Sequence, residues 1–188
     1  MLEERKKRLI ALLRDPEPEI RNIAAESLEV VESLSSLEQI LEILQGEERG
    51  EKVKAIYALE RIDSEKVFVP LLQLLQQGDA DLRAAAIQVL GTKKNPQTLG
   101  TLVKHLKDPH PAVRVHAAEA VGNFPDKRLI PFLATLINEK DDTLAAAATK
   151  SLGKIGASEG EAYILAAMQD PRPTVRLAAA RAIAAISI

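Results

Sequence analysis

The residues in this chain best suited to chemistry are three histidines, His105, His110 and His116, and the acids near them. Glu119 follows His116 by three residues, one helical turn, so an imidazole and a carboxylate would share a face. That pair offers two ligands, whereas a durable metal site wants three or more. An ordinary surface histidine is the plainer reading, and neither metal nor cofactor is expected. The chain has no Cys, which removes thiolate ligands, thiol nucleophiles and disulfides. No Gly-rich phosphate loop, nucleophile motif or nucleotide signature occurs. The expectation is a protein that is not an enzyme, and the informative side chains become those placed to touch a partner.

What positions them is a repeat. The 188 residues divide into six units of 31 with two left over. Stepping by 31 from Ala24 gives Ala55, Ala86, Ala117, Ala148 and Ala179; stepping from Leu9 gives Ile40, Leu71, Leu102, Leu133 and Ile164. Leu28, Leu59, Leu90, Val121, Leu152 and Ile183 form a third series, again without insertion or deletion. Residues 1–188 therefore read as one repeat domain, with units near 2–32, 33–63, 64–94, 95–125, 126–156 and 157–188. Two amphipathic helices alternate within each unit. In the fourth, the first covers roughly 97–107 and the second roughly 111–123, burying Val113, Ala117, Ala118, Ala120, Val121 and Phe124. Pro18, Pro111 and Pro173 share one position, the first turn of the second helix, where a missing N–H costs nothing. Pro70, Pro96, Pro125 and Pro131 are expected between units. The repeated Ala suits a close helix crossing, and Gly91, Gly122 and Gly153 fit either a close approach or a helix end.

The stretches DPEPEIRNIAAESL (15–28), DPHPAVRVHAAEAVG (108–122) and DPRPTVRLAAARAI (170–183) resemble HEAT repeats, nearest to the short phycobilisome-lyase HEAT-like class. The resemblance covers essentially the whole chain. It implies an all-α, right-handed α-solenoid of six two-helix repeats, with second helices lining a concave face. It also implies a ladder of Asp and Arg side-chain bonds along the array. Asp15/Arg21, Asp108/Arg114 and Asp170/Arg176 match both positions, and breaks are expected at repeats two, three and five. Glu51 replaces a usual apolar residue, so repeat two should be the least regular. Deoxyhypusine hydroxylase, a HEAT-like enzyme family, holds iron with His-Glu pairs, but none of the three histidines here precedes Glu. The HEAT-like alkylpurine DNA glycosylases need a basic channel and stacking aromatics. This chain has no Trp, 3% aromatics and a net charge of −2, from 25 Lys+Arg against 27 Asp+Glu. Nucleic acid is not expected as a partner.

The resemblance directs attention to the outward side of the second helices. Counting 100° per residue from the Val of Val-Arg places positions +2, +3, +6, +9 and +10 outward. The candidate contact residues are Lys54, Tyr57, Arg61, Gln88, Val115, His116, Glu119, Lys150, Lys154, Leu177 and Arg181. The +2 row is apolar in five of six units, as Val53, Ala84, Val115, Ala146 and Leu177 show, and the +6 row runs from Glu26 to Arg181. An apolar ridge beside polar rows suits a docked helix or peptide. The leading reading is a non-enzymatic scaffold that binds a protein on this face. An accessory subunit of a bilin lyase or a phycobilisome-turnover protein is a second reading, and a regulatory module of a longer chain a third. No apolar run is long enough to span a membrane or serve as a secretory signal, so a cytoplasmic protein with no membrane partner is expected. The last helix, VRLAAARAIAAISI, carries only Arg176 and Arg181 as charges. Its apolar side should be covered by self-association or by residues outside this sequence.

Overall fold

A computed structural model gives the architecture, and residues 1–186 are described. No strand occurs among them. The helices are α1 (Leu2–Leu12), α2 (Pro18–Gln45), α3 (Arg49–Ala58), α4 (Phe68–Leu74), α5 (Ala80–Lys93), α6 (Leu99–Lys104), α7 (Pro111–Val121), α8 (Ile130–Ile137), α9 (Asp142–Ile155), α10 (Glu161–Ala167) and α11 (Pro173–Ala182). The chain packs as two compact units, Met1–Pro70 and Leu71–Ile188.

In the second unit the even-numbered helices are the first helices of the repeats, and α5, α7, α9 and α11 are the second helices. The second helices start in two ways. Pro111 and Pro173 occupy the first turn of α7 and α11. Asp79 and Asp141 instead cap α5 and α9, each carboxylate accepting two backbone N–H groups. Short 3₁₀ turns lead into α4, α6 and α8, capped by Ser64, Asn95 and Asp126. Pro70 and Pro131 lie in the first turns of α4 and α8 rather than between units. The first turn has N–H groups without intrahelical partners anyway, so Pro is accommodated there.

The period is also the pattern of burial. Leu71, Leu102, Leu133 and Ile164 are fully buried, as are Ala86, Ala117, Ala148 and Ala179. Each such Leu or Ile contributes roughly 1.5–3 kcal/mol by leaving water. The glycines are there for close approach. A Cβ on Gly91 would lie 2.5 Å from that of Ala120, one on Gly153 would lie 2.6 Å from that of Ala182, and one on Gly122 would overlap Ser151. Successive second helices therefore touch backbone to small side chain, at the short end of the 8–10 Å range of axis separations.

The Asp–Arg ladder exists in altered form. Arg21, Arg114 and Arg176 do not pair with the carboxylates of their own repeats. Each donates Nη1 to the backbone carbonyls of its Asp-Pro turn, at 2.8 and 2.9 Å for Arg21, 3.1 and 3.4 Å for Arg114, and 2.8 Å twice for Arg176. The side-chain rung joins neighbouring repeats. Arg83 caps the Gln77 and Gly78 carbonyls and pairs with Asp108 through Nε to Oδ2 at 3.0 Å and Nη2 to Oδ1 at 2.9 Å. Repeat three therefore contributes a rung despite Gln77. Repeat five, which has Ala145 in place of Arg, is rebuilt from elsewhere: Arg172 reaches back to the carbonyls of Ile137 and Glu139 while holding Asp170 with Nε and Nη2. The guanidinium thus makes the same bonds, turn carbonyls plus the next repeat's Asp, from a different sequence position.

The first unit departs from the period. The repeat boundary near 32/33 falls inside α2, one continuous 28-residue helix. Other joints carry Asp63-Ser64, Asn95-Pro96, Pro125-Asp126 or Gly156, whereas 31–36 reads Val-Glu-Ser-Leu-Ser-Ser. Ser36 bonds back to the Glu32 carbonyl at 3.0 Å, so its hydroxyl stays within the helix instead of capping a new one. Lys6 ties α1 to α2 through Glu32 at 3.0 Å. Glu51 is exposed where Leu82, Val113, Leu144 and Val175 are buried, and so is Ile20 at the same position of repeat one, so the departure belongs to both repeats of the first unit.

Candidate functional site

The crossings of Gly122 on Ser151 and of Gly153 on Ala182 hold α7, α9 and α11 side by side, and the outward faces of these three helices form a groove of about 530 Å³. Its floor is Val115, Ala146, Ala147, Leu177 and Ala178, and its rim is Glu119, Lys150, Lys154 and Arg181 with Thr143 and Thr174. A polar cavity of about 260 Å³ adjoins it, sharing Glu119, Lys150 and Lys154 and adding Gln88, Thr92, His116 and Asn123. Leu177 is 54% exposed, a large apolar side chain left in water on the floor.

A chain of polar contacts, one hydrogen bond followed by two longer charge contacts, crosses the polar part. Gln88 Nε2 lies 3.0 Å from His116 Nδ1, which lies 3.6 Å from Glu119 Oε2, and Glu119 Oε1 lies 3.7 Å from Lys150 Nζ. Lys154 Nζ donates to Asn123 Oδ1 at 2.9 Å, and Asn123 Nδ2 donates to the Gly91 carbonyl at 3.2 Å. The Lys154 ammonium is pushed below its ordinary range by burial, then by the charges of Lys150 and Lys94, with Glu119 opposing. Among the described residues no cluster of three or more His, Cys, Asp or Glu is arranged to hold a metal ion.

Eight of the residues singled out from sequence meet here: Gln88, Val115, His116, Glu119, Lys150, Lys154, Leu177 and Arg181. Lys54, Tyr57 and Arg61 belong to the first unit, on α3 and the turn after it, and line neither cavity; Lys54 Nζ bonds Glu51 at 2.8 Å. The +9 row is outward in the first unit, at Glu29 and Glu60, but not at the glycines of the second. Gly91, Gly122 and Gly153 are buried at the helix crossings, because a missing side chain lets the next helix in. Thr143 and Thr174 were outside the expected rows, although their spacing of 31 residues, one position before the Val-Arg series, is the signal that would have found them. Ala182 of the last helix is not on its free side: it is 5% exposed and packs against Gly153.

The family model for HEAT repeats matches residues 68–153 and 133–187. The chain belongs to the HEAT-repeat family. Among curated relatives, deoxyhypusine hydroxylase of Candida albicans is 28% identical over 125 residues, 64% of this chain and 39% of that protein. The phycocyanin operon protein Z of Pseudanabaena tenuis is 33% identical over 91 residues, 48% of this chain and 45% of that protein. The chain spans less than half the length of these relatives. The complex of CpcE and CpcF of phycocyanin lyase from Nostoc sp. PCC7120 is similar in fold, with a TM-score of 0.69 and 24% identity over 80% of this chain and 65% of that one. The E. coli protein YibA matches with a TM-score of 0.64 and 22% identity, over 97% of this chain and 72% of that one. Both likenesses establish the HEAT-repeat solenoid. Among the described residues, no helix is long and apolar enough to cross a membrane.

Proposed function

We propose that this HEAT-repeat chain is a non-catalytic scaffold that binds a protein partner on the outward face of α7, α9 and α11. The observation that carries the reading is the apolar floor: Leu177 is exposed beside Val115 and Ala146, at one repeat position on three consecutive helices. The test is capture of a physiological partner by the wild type and by Leu177→Asp/Lys150→Glu. Loss of capture with an unchanged helical signal supports the groove; undiminished capture places the interface elsewhere.

A second reading is favoured by the likeness to the phycocyanin operon protein Z and, in fold, to the phycocyanin lyase complex: an accessory subunit of a bilin lyase or a phycobilisome-turnover protein. It too begins with docking a polypeptide. Co-expression with phycocyanin subunits and a bilin separates the two, because only this reading predicts a change in chromophore attachment.

The C-terminal end offers a further contact. Met168 is 40% exposed, whereas Leu75, Leu106 and Ile137 at its repeat position are buried. Ala180 is exposed where Ile87, Ala118 and Thr149 are buried. A second copy of the chain is the proposed cover. Light scattering across a concentration series should show association for the wild type and a monomer for Met168→Glu/Ala180→Glu; a wild type monomeric throughout overturns this contact.

A further inference from the structure

We propose that the partner element seated in the groove is an acidic amphipathic α-helix with apolar side chains one heptad apart; this rests on the reading that the face docks protein. The floor sets the spacing. Val115, Ala146 and Leu177 lie on adjacent helices whose axes are about 8–10 Å apart. In a helix laid across them, residues i, i+7 and i+14 are separated by about 10.5 Å per step. One apolar side chain per heptad therefore meets one floor residue per repeat. A helix satisfies its own backbone groups, whereas an extended strand would lay N–H and C=O groups over Ala and Val with nothing to pair them.

The rim sets the charge. Lys150, Lys154 and Arg181 border the groove, and Glu119 is the one carboxylate among its lining residues. Glu119 is already shared between Lys150 and His116. Lys154 is bonded to a neutral amide, and its charge is disfavoured by burial first and then by Lys150 and Lys94, with Glu119 opposing. No ion-pair partner of Arg181 occurs among the described residues. Lys150 and Arg181 share a repeat position 31 residues apart, so the carboxylates that meet them also fall one heptad apart. Such a helix relieves the crowding of like charge and covers Leu177 in one step.

The test is fluorescence anisotropy with the full chain and three labelled 18-residue peptides. The first is helical, with Leu at heptad spacing and Glu flanking it; the second replaces each Glu by Lys; the third is an acidic permutation of the first without the heptad. The first should bind at least tenfold more tightly than the others and weaken as salt rises from 50 to 300 mM. Lys150→Glu/Lys154→Glu should reverse the preference between the first two, and Leu177→Asp should weaken the first at least tenfold. All three side chains are exposed or rim positions, and a retained helical spectrum verifies folding. Equal binding of the acidic heptad peptide and its permutation overturns the inference, as does preference for the Lys peptide. Binding lost in Leu177→Asp but indifferent to peptide charge overturns the acidic partner while sparing the groove. Binding indifferent to both sets of substitutions overturns the groove as well.

Discussion

Residues 1–70 and 71–188 share one period but are built differently, and a single row of residues shows why. At the +9 position the second unit has Gly91, Gly122 and Gly153, each against a small side chain of the next helix. The first unit has Glu29 and Glu60 there, both exposed. A glutamate cannot enter a crossing that excludes even a methyl group, so the close stacking of second helices belongs to the second unit. Burial follows: α5 buries nine residues and α9 eight, while the 28-residue α2 buries only Ala24, Val31 and Leu37. Charge differs as well. Residues 1–70 carry 16 Asp+Glu against 11 Lys+Arg, and residues 71–188 carry 11 against 14. The family match at 68–187 coincides with the glycine-containing repeats. A repeat period alone specifies helices, whereas the crossing residue decides how closely they stack.

The largest expected effect comes from moving the first unit's residue into the second. Gly122→Glu forces a side chain into the backbone and Cβ of Ser151. It should cost about 3 kcal/mol or more, read as a lower urea midpoint or loss of cooperative unfolding. The reverse change, Glu60→Gly, should shift stability by less than about 1 kcal/mol. A tolerated Gly122→Glu would break the comparison at its root.

The Asp of the Asp-Pro turn gives the next contrast. Asp108 and its partner Arg83 are each 8% exposed, and Asp108→Ala leaves a buried guanidinium without its counter-ion. A loss of about 3 kcal/mol is expected, at the low end for a broken buried pair because the Gln77 and Gly78 carbonyls still bind Arg83. Asp15, at the same repeat position, accepts the Glu17 N–H at 3.0 Å and meets no such partner. Asp15→Ala should cost only about 0.5–1 kcal/mol, as for an exposed cap. Chemical denaturation of the two variants side by side measures the difference.

How much of this was readable in advance follows the same division. The period, the helix pairs of the second unit and the buried set of α7 were all legible, because apolar spacing reports burial wherever every repeat has neighbours. The groove was legible for eight residues because helical geometry carries +2, +3, +6 and +10 outward. The +9 row misled, since helical phase cannot tell solvent from a neighbour admitted by a missing side chain. Arg172 was invisible as a ladder residue because it reaches its partners from the turn rather than the Val-Arg position. The fused α2 was missed because the period at 32/33 is intact in apolar positions and lacks only the breaker residues.

Acid should act through the second unit's rungs. Hydrogen bonds from Arg172 hold the Asp170 carboxyl down to about 2 from 3.8, with burial opposing and the Arg172 N–H and nearby arginine charges assisting. In Asp108 burial favours the neutral form, but the bonds from Arg83 and the His110 N–H outweigh it and lower its titration too. A depressed folded-state value means the stabilisation is complete above the unfolded value and lost as pH falls through the folded one. Urea midpoints should therefore decline between about pH 4 and pH 2. Asp170→Asn should be less stable at neutral pH and flatter through that window. An equal slope in wild type and variant would remove Asp170 from the account.

A smaller effect, of opposite sign, is expected at the middle crossing. Ser151 Oγ is buried against Gly122 without a hydrogen-bond partner, where Ala120 and Ala182 fill the equivalent positions. Ser151→Ala removes an unsatisfied hydroxyl and keeps the Cβ contact, so it should raise stability by about 1 kcal/mol. A destabilised variant would mean the hydroxyl finds an acceptor in solution.

The smallest change separates two uses of glycine. Gly50 lies in the first turn of α3, and a Cβ added there meets nothing within 4 Å. Gly50→Ala should stabilise by about 0.5 kcal/mol, since Ala restricts the unfolded chain and favours the helix. The same substitution at Gly91 places a methyl 2.5 Å from Ala120 Cβ and 2.7 Å from its Cα, so there the entropic gain is overwhelmed. Backbone freedom is comparable at the two sites, because neither has a positive φ. Only the distance to the next helix differs. Opposite signs for Gly50→Ala and Gly91→Ala in urea unfolding would show that the second unit keeps its glycines for contact between helices. Equal signs would return the explanation to backbone conformation, and with it the contrast between the two halves of the chain.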